Sequence, residues 1–214
     1  MSNITMSRPA GAAILRKLTN PLYDSTVLQG GVAINNMQFF RLPIGANMPV
    51  TAVAKTEADT NLTQAGQMGT PQMFDLEGFC FEHLMNDATS GTITDAQNIA
   101  NVEALYGQAV YNFFFGQQRP WLQLPLRQIP TGPFLTGDAG MGDVGNADMC
   151  IYLGMGKATV DSIYNFTVGK KAIRVHSAEP FNATVTYPNA AITPTAGLNY
   201  RMRTYMIGSL YAAL

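Results

Sequence analysis

The sequence predicts a mostly β chain: antiparallel strands in a sandwich or barrel, with one inserted helix. Three observations carry this. Short runs alternate apolar and polar residues with period two. Gly, Pro and Asn turns divide them at steady spacing, and a single window keeps helical spacing instead. Strands that are not interleaved with helices argue against a parallel α/β sheet.

Taken in order, residues 1–20 read as an N-terminal arm, with a short helix at AAILRKL, and residues 21–214 as one domain. STVLQGGVAINNMQFFRLPIG (25–45) offers two strands separated by glycines. MPVTAVAKTE (48–57) offers a third, and PQMFDLEGFCFEHL (71–84) a fourth. In TDAQNIANVEALYGQAVYNFFFG, Ile99, Val102, Tyr106, Ala109, Val110, Phe113 and Phe114 form one helical stripe. Thr94 suits the N-cap, Gln97 completes a capping box, and Gly116 can close the element in the left-handed conformation. This predicts a helix at about 95–115. Asn98, Asn101, Gln108 and Asn112 lie on its polar face, so it covers the sheets as a lid.

QQRPWLQLPLRQIPTGP (117–133) holds four prolines and the only tryptophan. Proline is excluded from central strands and suits edges or extended connections. Strand-like runs then follow at 148–155, 161–168 and 170–177. In FNATVTYP, Phe181, Ala183, Val185 and Tyr187 alternate with Asn182, Thr184 and Thr186. In NYRMRTYMIGSLY, Tyr200, Met202, Thr204 and Met206 share a face opposite Arg201, Arg203, Tyr205 and Ile207.

Charged residues make up 13% of the chain, against about 25% in an ordinary domain. The 20 Thr, 15 Asn and 11 Gln take their place on the surface. Neutral polar groups are cheaper to desolvate than charges, and charge depletion marks the buried centres of interfaces. Much of this surface is therefore expected inside an assembly. Net charge is -1, which excludes a protein whose whole surface binds nucleic acid. The charge is nevertheless split: +3 over 1–41, −8 over 42–168 and +4 over 169–214, so ends and middle face different neighbours. No secretory signal or membrane-spanning helix is expected.

Motifs for chemistry are weak. GMGDVG (140–145) satisfies G-x-G-x-x-G, but no strand leads in and no helix starts within it, so it reads as a loop. Asp138, Asp143 and Asp148 in that loop could offer oxygens to an ion, although the spacing matches no EF-hand. Cys80, His83, Cys150 and His176 are the right number for zinc, yet only one pair is locally spaced, and the thiols read as buried and free. No nucleophile elbow accompanies the two histidines. The expectation is no enzyme, no cofactor and no small-molecule substrate. Trp and Arg are favoured interface anchors. The expected subunit-interface residues are Arg8, Arg16 and Lys17 in the arm, with Arg119, Trp121 and Arg127 in the proline-rich segment.

About eight short strands, one helix between two groups of them, a basic arm, low charge and a closing strand of the form R-x-x-x-Y-x-x-G-x-L-Y (201–211) complete the pattern. It resembles the single-jelly-roll capsid proteins of tailless icosahedral viruses, especially bacteriophages. The resemblance implies a jelly roll of two four-stranded sheets, copies packed into capsomers around a genome, and contacts with other capsid proteins. It places the chain in the virion, assembled in the host cytoplasm. With three basic residues before Asp24, the arm is suited to weak contact with genome or internal membrane at most. The alternative is a β-sandwich binding module, such as a virion decoration protein or a receptor- or carbohydrate-binding protein.

Overall fold

The computed structural model describes residues 15–18, 20–88, 95–116, 119–129, 164–165 and 173–213. They form two antiparallel sheets and few helices. In chain order the elements are β1 (Leu15–Leu18), β2 (Leu22–Leu28), β3 (Asn36–Phe39), β4 (Met73–Ala88), α1 (Asp95–Gly107), β5 (Val110–Phe115), β6 (Leu122–Pro125), a 3-10 turn (Leu126–Gln128), β7 (Tyr164–Asn165), β8 (Ile173–Val175), β9 (Phe181–Thr186) and β10 (Leu198–Ala213).

Sheet one is built on β10. One edge of β10 pairs with β4 along most of its length, and the other takes β2 and then β1 in series. The far edge of β4 takes β8 and β7, again in series. Sheet two runs β3-β9-β5-β6. The aromatic faces of the sheets meet: Phe79 of β4 lies 4.8 Å from Phe113 of β5, Phe81 packs edge-on to Phe39 of β3, and Tyr111 of β5 shares a 3.1 Å hydrogen bond with Thr204 of β10. Such aromatic pairs contribute about 0.5–1.5 kcal/mol each beyond their burial.

The period-two readings hold. Phe181, Ala183 and Val185 are buried while Asn182, Thr184 and Thr186 are half-exposed, and Tyr200, Met202, Thr204 and Met206 are fully buried. In β4 the inward set changes from Phe74 and Leu76 to Phe79 and Phe81. A bulge does this: Gly208 faces Leu76 and Ile207 faces Gly78, so Glu77 is the extra residue that resets the alternation. The close approach there requires Gly208, because a Cβ at that position would meet the Asp75 carbonyl oxygen at 1.9 Å.

Three expectations are corrected. The helix ends at Gly107, and 110–115 is strand β5. Tyr111 and Phe113 are buried in the core, and Asn112 between them is also buried, its amide donating to Thr186 Oγ1; this run of β-favouring residues pairs with β9 and β6 and overrides the continued helical spacing. Gly116 does take positive φ (+63°), but it turns the chain after a strand, its N–H bonded to Pro180 O. Residues 48–57 form a turn-rich excursion in place of a strand, closed by Met48 N–H to Val53 O, because Pro49 and left-handed Ala52 break the extended run. Leu15–Leu18 of the expected short helix is strand β1, stabilised by pairing with residues 210–213 of β10.

α1 closes one end of the space between the sheets. Its Leu105 and Tyr106 are buried, Tyr106 packs edge-on to Phe81, and Tyr187 donates to Leu105 O. Asn101, expected on the polar face, is turned inward: it donates to the Tyr200 hydroxyl (2.9 Å) and accepts from Thr195 N–H. The N-cap Thr94 and the strand-like run 148–155 lie outside the described residues.

Candidate interaction surfaces

Charge is partitioned between the two sheets. None of the four strands of sheet two carries a charged side chain, whereas Arg16, Lys17, Asp24, Asp75, Glu77, Glu82, Arg174, Arg201 and Arg203 all lie on strands of sheet one. The outward faces of the sheets therefore differ in chemistry.

On sheet one, Asp24, Asp75, Glu82, Arg174, Arg201 and Arg203 are held by partners in their own chain. Arg203 donates to Ser25 Oγ (2.8 Å), to the Tyr205 hydroxyl (3.3 Å) and to Ala58 O, and Tyr205 donates onward to Glu82 Oε2 (2.8 Å). Burial pushes the Tyr205 phenol well above its ordinary pKa, so it acts as a hydrogen-bond donor at neutral pH. Arg201 lies 2.9 Å from Asp59, whose other oxygen accepts from Thr56. Arg174 grips Asp75 with two bonds of 2.7 and 2.9 Å, holding that carboxyl below its ordinary pKa, and stacks over Tyr211. The closing-strand motif thus has a structural account at each marked position: Arg201 pairs Asp59, Tyr205 reaches Glu82, Gly208 accommodates the bulge, Leu210 packs on the core, and Tyr211 lies under Arg174.

The long connection 40–72 is clamped from inside. Lys55 Nζ lies 2.6 Å from Asp24 Oδ1, both side chains being almost wholly buried. The second oxygen of Asp24 accepts from Phe40 N–H. Desolvation raises the pKa of Asp24, with Lys55 opposing the rise. Asn61 accepts from Tyr23 N–H, donates to Pro21 O, and so covers the free edge of β2. Beyond this clamp, residues 42–54 form an uncharged spur with Ile44, Val50 and Val53 exposed. A recess of about 100 Å³ near the start of β2 is lined by neutral groups including Asn20, Leu22, Gln67, Met68 and Leu210.

Sheet two carries a row of neutral polar groups across its strands. The register places Gln38, Thr184, Asn112 and Gln123 side by side across all four strands, with Gln38 and Gln123 exposed. At its β6 edge stand three of the expected interface residues. Arg119 and Arg127 are exposed, and Trp121 is 44% exposed. The expectation that proline marks an edge is met: Pro125 ends β6, which pairs with β5. Arg127 also serves the fold, since its guanidinium lies 3.2 Å from where a Cβ of Gly107 would sit, at the negative end of α1.

Arg16 and Lys17 are exposed on β1, in the other sheet, so the fold does not join the two groups of expected interface residues into one strand edge. Arg8, the glycine-rich loop 140–145, Asp138, Asp143, Asp148 and Cys150 lie outside the described residues. Cys80 is a free, buried thiol whose pKa is raised by desolvation, as its apolar setting suggested. Among the described residues no group of three His, Cys, Asp or Glu side chains is placed to hold a metal, and no helix is long and apolar enough to cross a membrane. Sequence reasoning missed the clamp, the spur and the charge-free sheet. The signal for the last was present in three uncharged windows, 25–40, 104–118 and 180–200.

No protein family, no curated protein and no solved structure matches this chain.

Proposed function

We propose that this chain is a jelly-roll shell subunit, a viral capsid protein that acts by packing against copies of itself. The observation that carries the reading is the nesting of the strand pairs. Counting β1 with β2 and β7 with β8 as interrupted single strands gives eight strands. The first then pairs with the eighth, the second with the seventh, the third with the sixth and the fourth with the fifth. That is the pairing of one long hairpin rolled up into two sheets. Jelly rolls serve as shell proteins, lectins and cupins. A cupin site needs clustered histidine ligands, and this chain has two histidines in all. The charge-free sheet suits burial against neighbours.

The test is the size of the purified chain by light scattering after gel filtration at two salt concentrations. Rings of five or six copies, or megadalton particles visible by electron microscopy, are expected. A monomer at every concentration and salt would refute self-assembly. The binding-module reading has its own supporting observation in the partly exposed Trp121 at the β6 edge, and glycan binding by that monomer would favour it.

A further inference from the structure

We propose that Lys55 and Asp24 condense into an intramolecular amide, a covalent bond that ties the long connection 40–72 to strand β2 in the folded chain. The proposal goes beyond the shell reading and does not rest on it. The reactants are already in contact: Lys55 Nζ lies 2.6 Å from Asp24 Oδ1, and the two side chains are 2% and 0% exposed. The second carboxyl oxygen, Oδ2, is held by the Phe40 N–H at 2.6 Å. Among the described residues no charge other than that of Lys55 acts on Asp24.

The ion pair is a poor resting state for this geometry. Lysine is almost never fully buried, and its ammonium has three protons to donate. Among the described residues Lys55 Nζ reaches one acceptor, Asp24 Oδ1. Buried charges left so poorly solvated are under pressure to neutralise. Passing one proton along the 2.6 Å contact leaves a neutral amine beside a neutral acid. Desolvation, which raises the pKa of Asp24, acts in the same direction. The amine then carries a lone pair, and Nζ can attack Cγ. Negative charge develops on Oδ2, where the Phe40 N–H already stands. The Nζ–Cγ bond forms and the Cγ–Oδ1 bond breaks. Oδ1 leaves as water with two of the three ammonium protons, and the third stays on the amide nitrogen. Nothing is oxidised or reduced, and no further carboxylate is needed to carry protons. Condensation is uphill between separate molecules in water. Groups held in contact by a fold reach effective molarities of about 10⁵–10⁸ M, which reverses that balance. The product also exchanges two buried charges for one neutral amide.

Mass spectrometry of the purified full-length chain reads the bond, on fresh protein and after prolonged incubation at neutral pH. The expected chain is lighter than its sequence by one water, about 18 Da. Trypsin should leave Lys55 uncut and release segment 18–41, which holds Asp24, joined to the segment that begins at residue 42. Lys55→Arg keeps the cation and loses the attacking amine, so the full mass and separate peptides are expected. Lys55→Met removes ion pair and amide together and does not replace this control. A wild type of full mass, both fresh and incubated, would overturn the proposal and leave the ion pair standing. A lost water that persists in Lys55→Arg would place the dehydration at another residue and overturn it equally. If Lys55→Arg does not fold, the wild-type digest decides alone, because joined or separate peptides identify the two residues directly. Neither result depends on whether the chain assembles.

Discussion

Gly208→Ala is the substitution that best probes the architecture, because one methyl group is set against the junction of the two longest strands. Its Cβ would lie 1.9 Å from the Asp75 carbonyl oxygen and 3.1 Å from the Phe74 ring. Real Cβ contacts essentially never fall below 3.0 Å, so β4 and β10 must part by about 1 Å at the bulge. A hydrogen bond stretched by that much is lost. Overpacking of this kind costs about 1–3 kcal/mol, and each forfeited ladder bond about 1 kcal/mol more. The expected loss is about 3–4 kcal/mol, a fall in Tm of roughly 10 °C for a chain of this length. Gly45→Ala is the control: it sits at φ +86° with nothing within 4 Å, so it reports only left-handed strain, about 1–2 kcal/mol. Urea unfolding of the three proteins measures both. If Gly208→Ala is no less stable than Gly45→Ala, the strands do not approach as described and the account of the bulge fails.

Further expectations concern the buried charges and the thiol. Lys55→Met leaves Asp24 buried without its cation and is expected to cost about 3–5 kcal/mol at neutral pH. Because the folded pKa of Asp24 is already raised above its unfolded value, the folded state takes up the proton first as pH falls; the deficit of Lys55→Met therefore shrinks toward acid pH in urea titrations, and a pH-independent deficit would contradict the clamp. Asp75→Asn behaves oppositely. The folded pKa of Asp75 is depressed by Arg174, so its contribution is present above the ordinary carboxyl pKa of 3.8 and lost as pH falls below it. The wild type should exceed Asp75→Asn by a few tenths of a kcal/mol at pH 6, given the exposure of the pair, and by nothing near pH 2. In a Cys150→Ser background, Cys80 should resist a thiol reagent in the folded protein and react within minutes in urea; fast labelling of the native chain would place it at the surface.

What the sequence revealed depended on how local the cause was. The inward faces of β9 and β10 were legible because alternation in 181–187 and 200–207 needs no knowledge of the partner strand. The overrun of the helix into 110–115 arose where two periods coincide, since Tyr106, Val110 and Phe113 satisfy helical spacing while Tyr111 and Phe113 satisfy strand spacing. Gly107 and the run of aromatics were the local hints that decided for the strand. The excursion at 48–57 could not be read locally, because Lys55 is buried by Asp24, thirty-one residues earlier in the chain. Of the expected interface residues, Arg119, Trp121 and Arg127 lie beside β6, the edge position that the prolines of that segment suggested. The charge-free face was missed because its members are scattered through the sequence and become neighbours only in the β3-β9-β5-β6 register.

The nesting of the strands also dictates when the molecule can be made. β4, sixteen residues long and rich in phenylalanine, finds its central partner in β10, the last of the described strands. Roughly 110 residues separate the two, so at ~5–20 residues per second a ribosome leaves β4 without that partner for about 5–20 s. β2 waits longer still. Sheet one therefore cannot close before β10 has been made, and it closes through contacts of high sequence separation that form slowly. Through that interval a long apolar strand edge is open to any neighbouring chain. The yield of native protein in a cell is thus set less by the stability of the finished sandwich than by how well nascent chains are kept apart until β10 emerges.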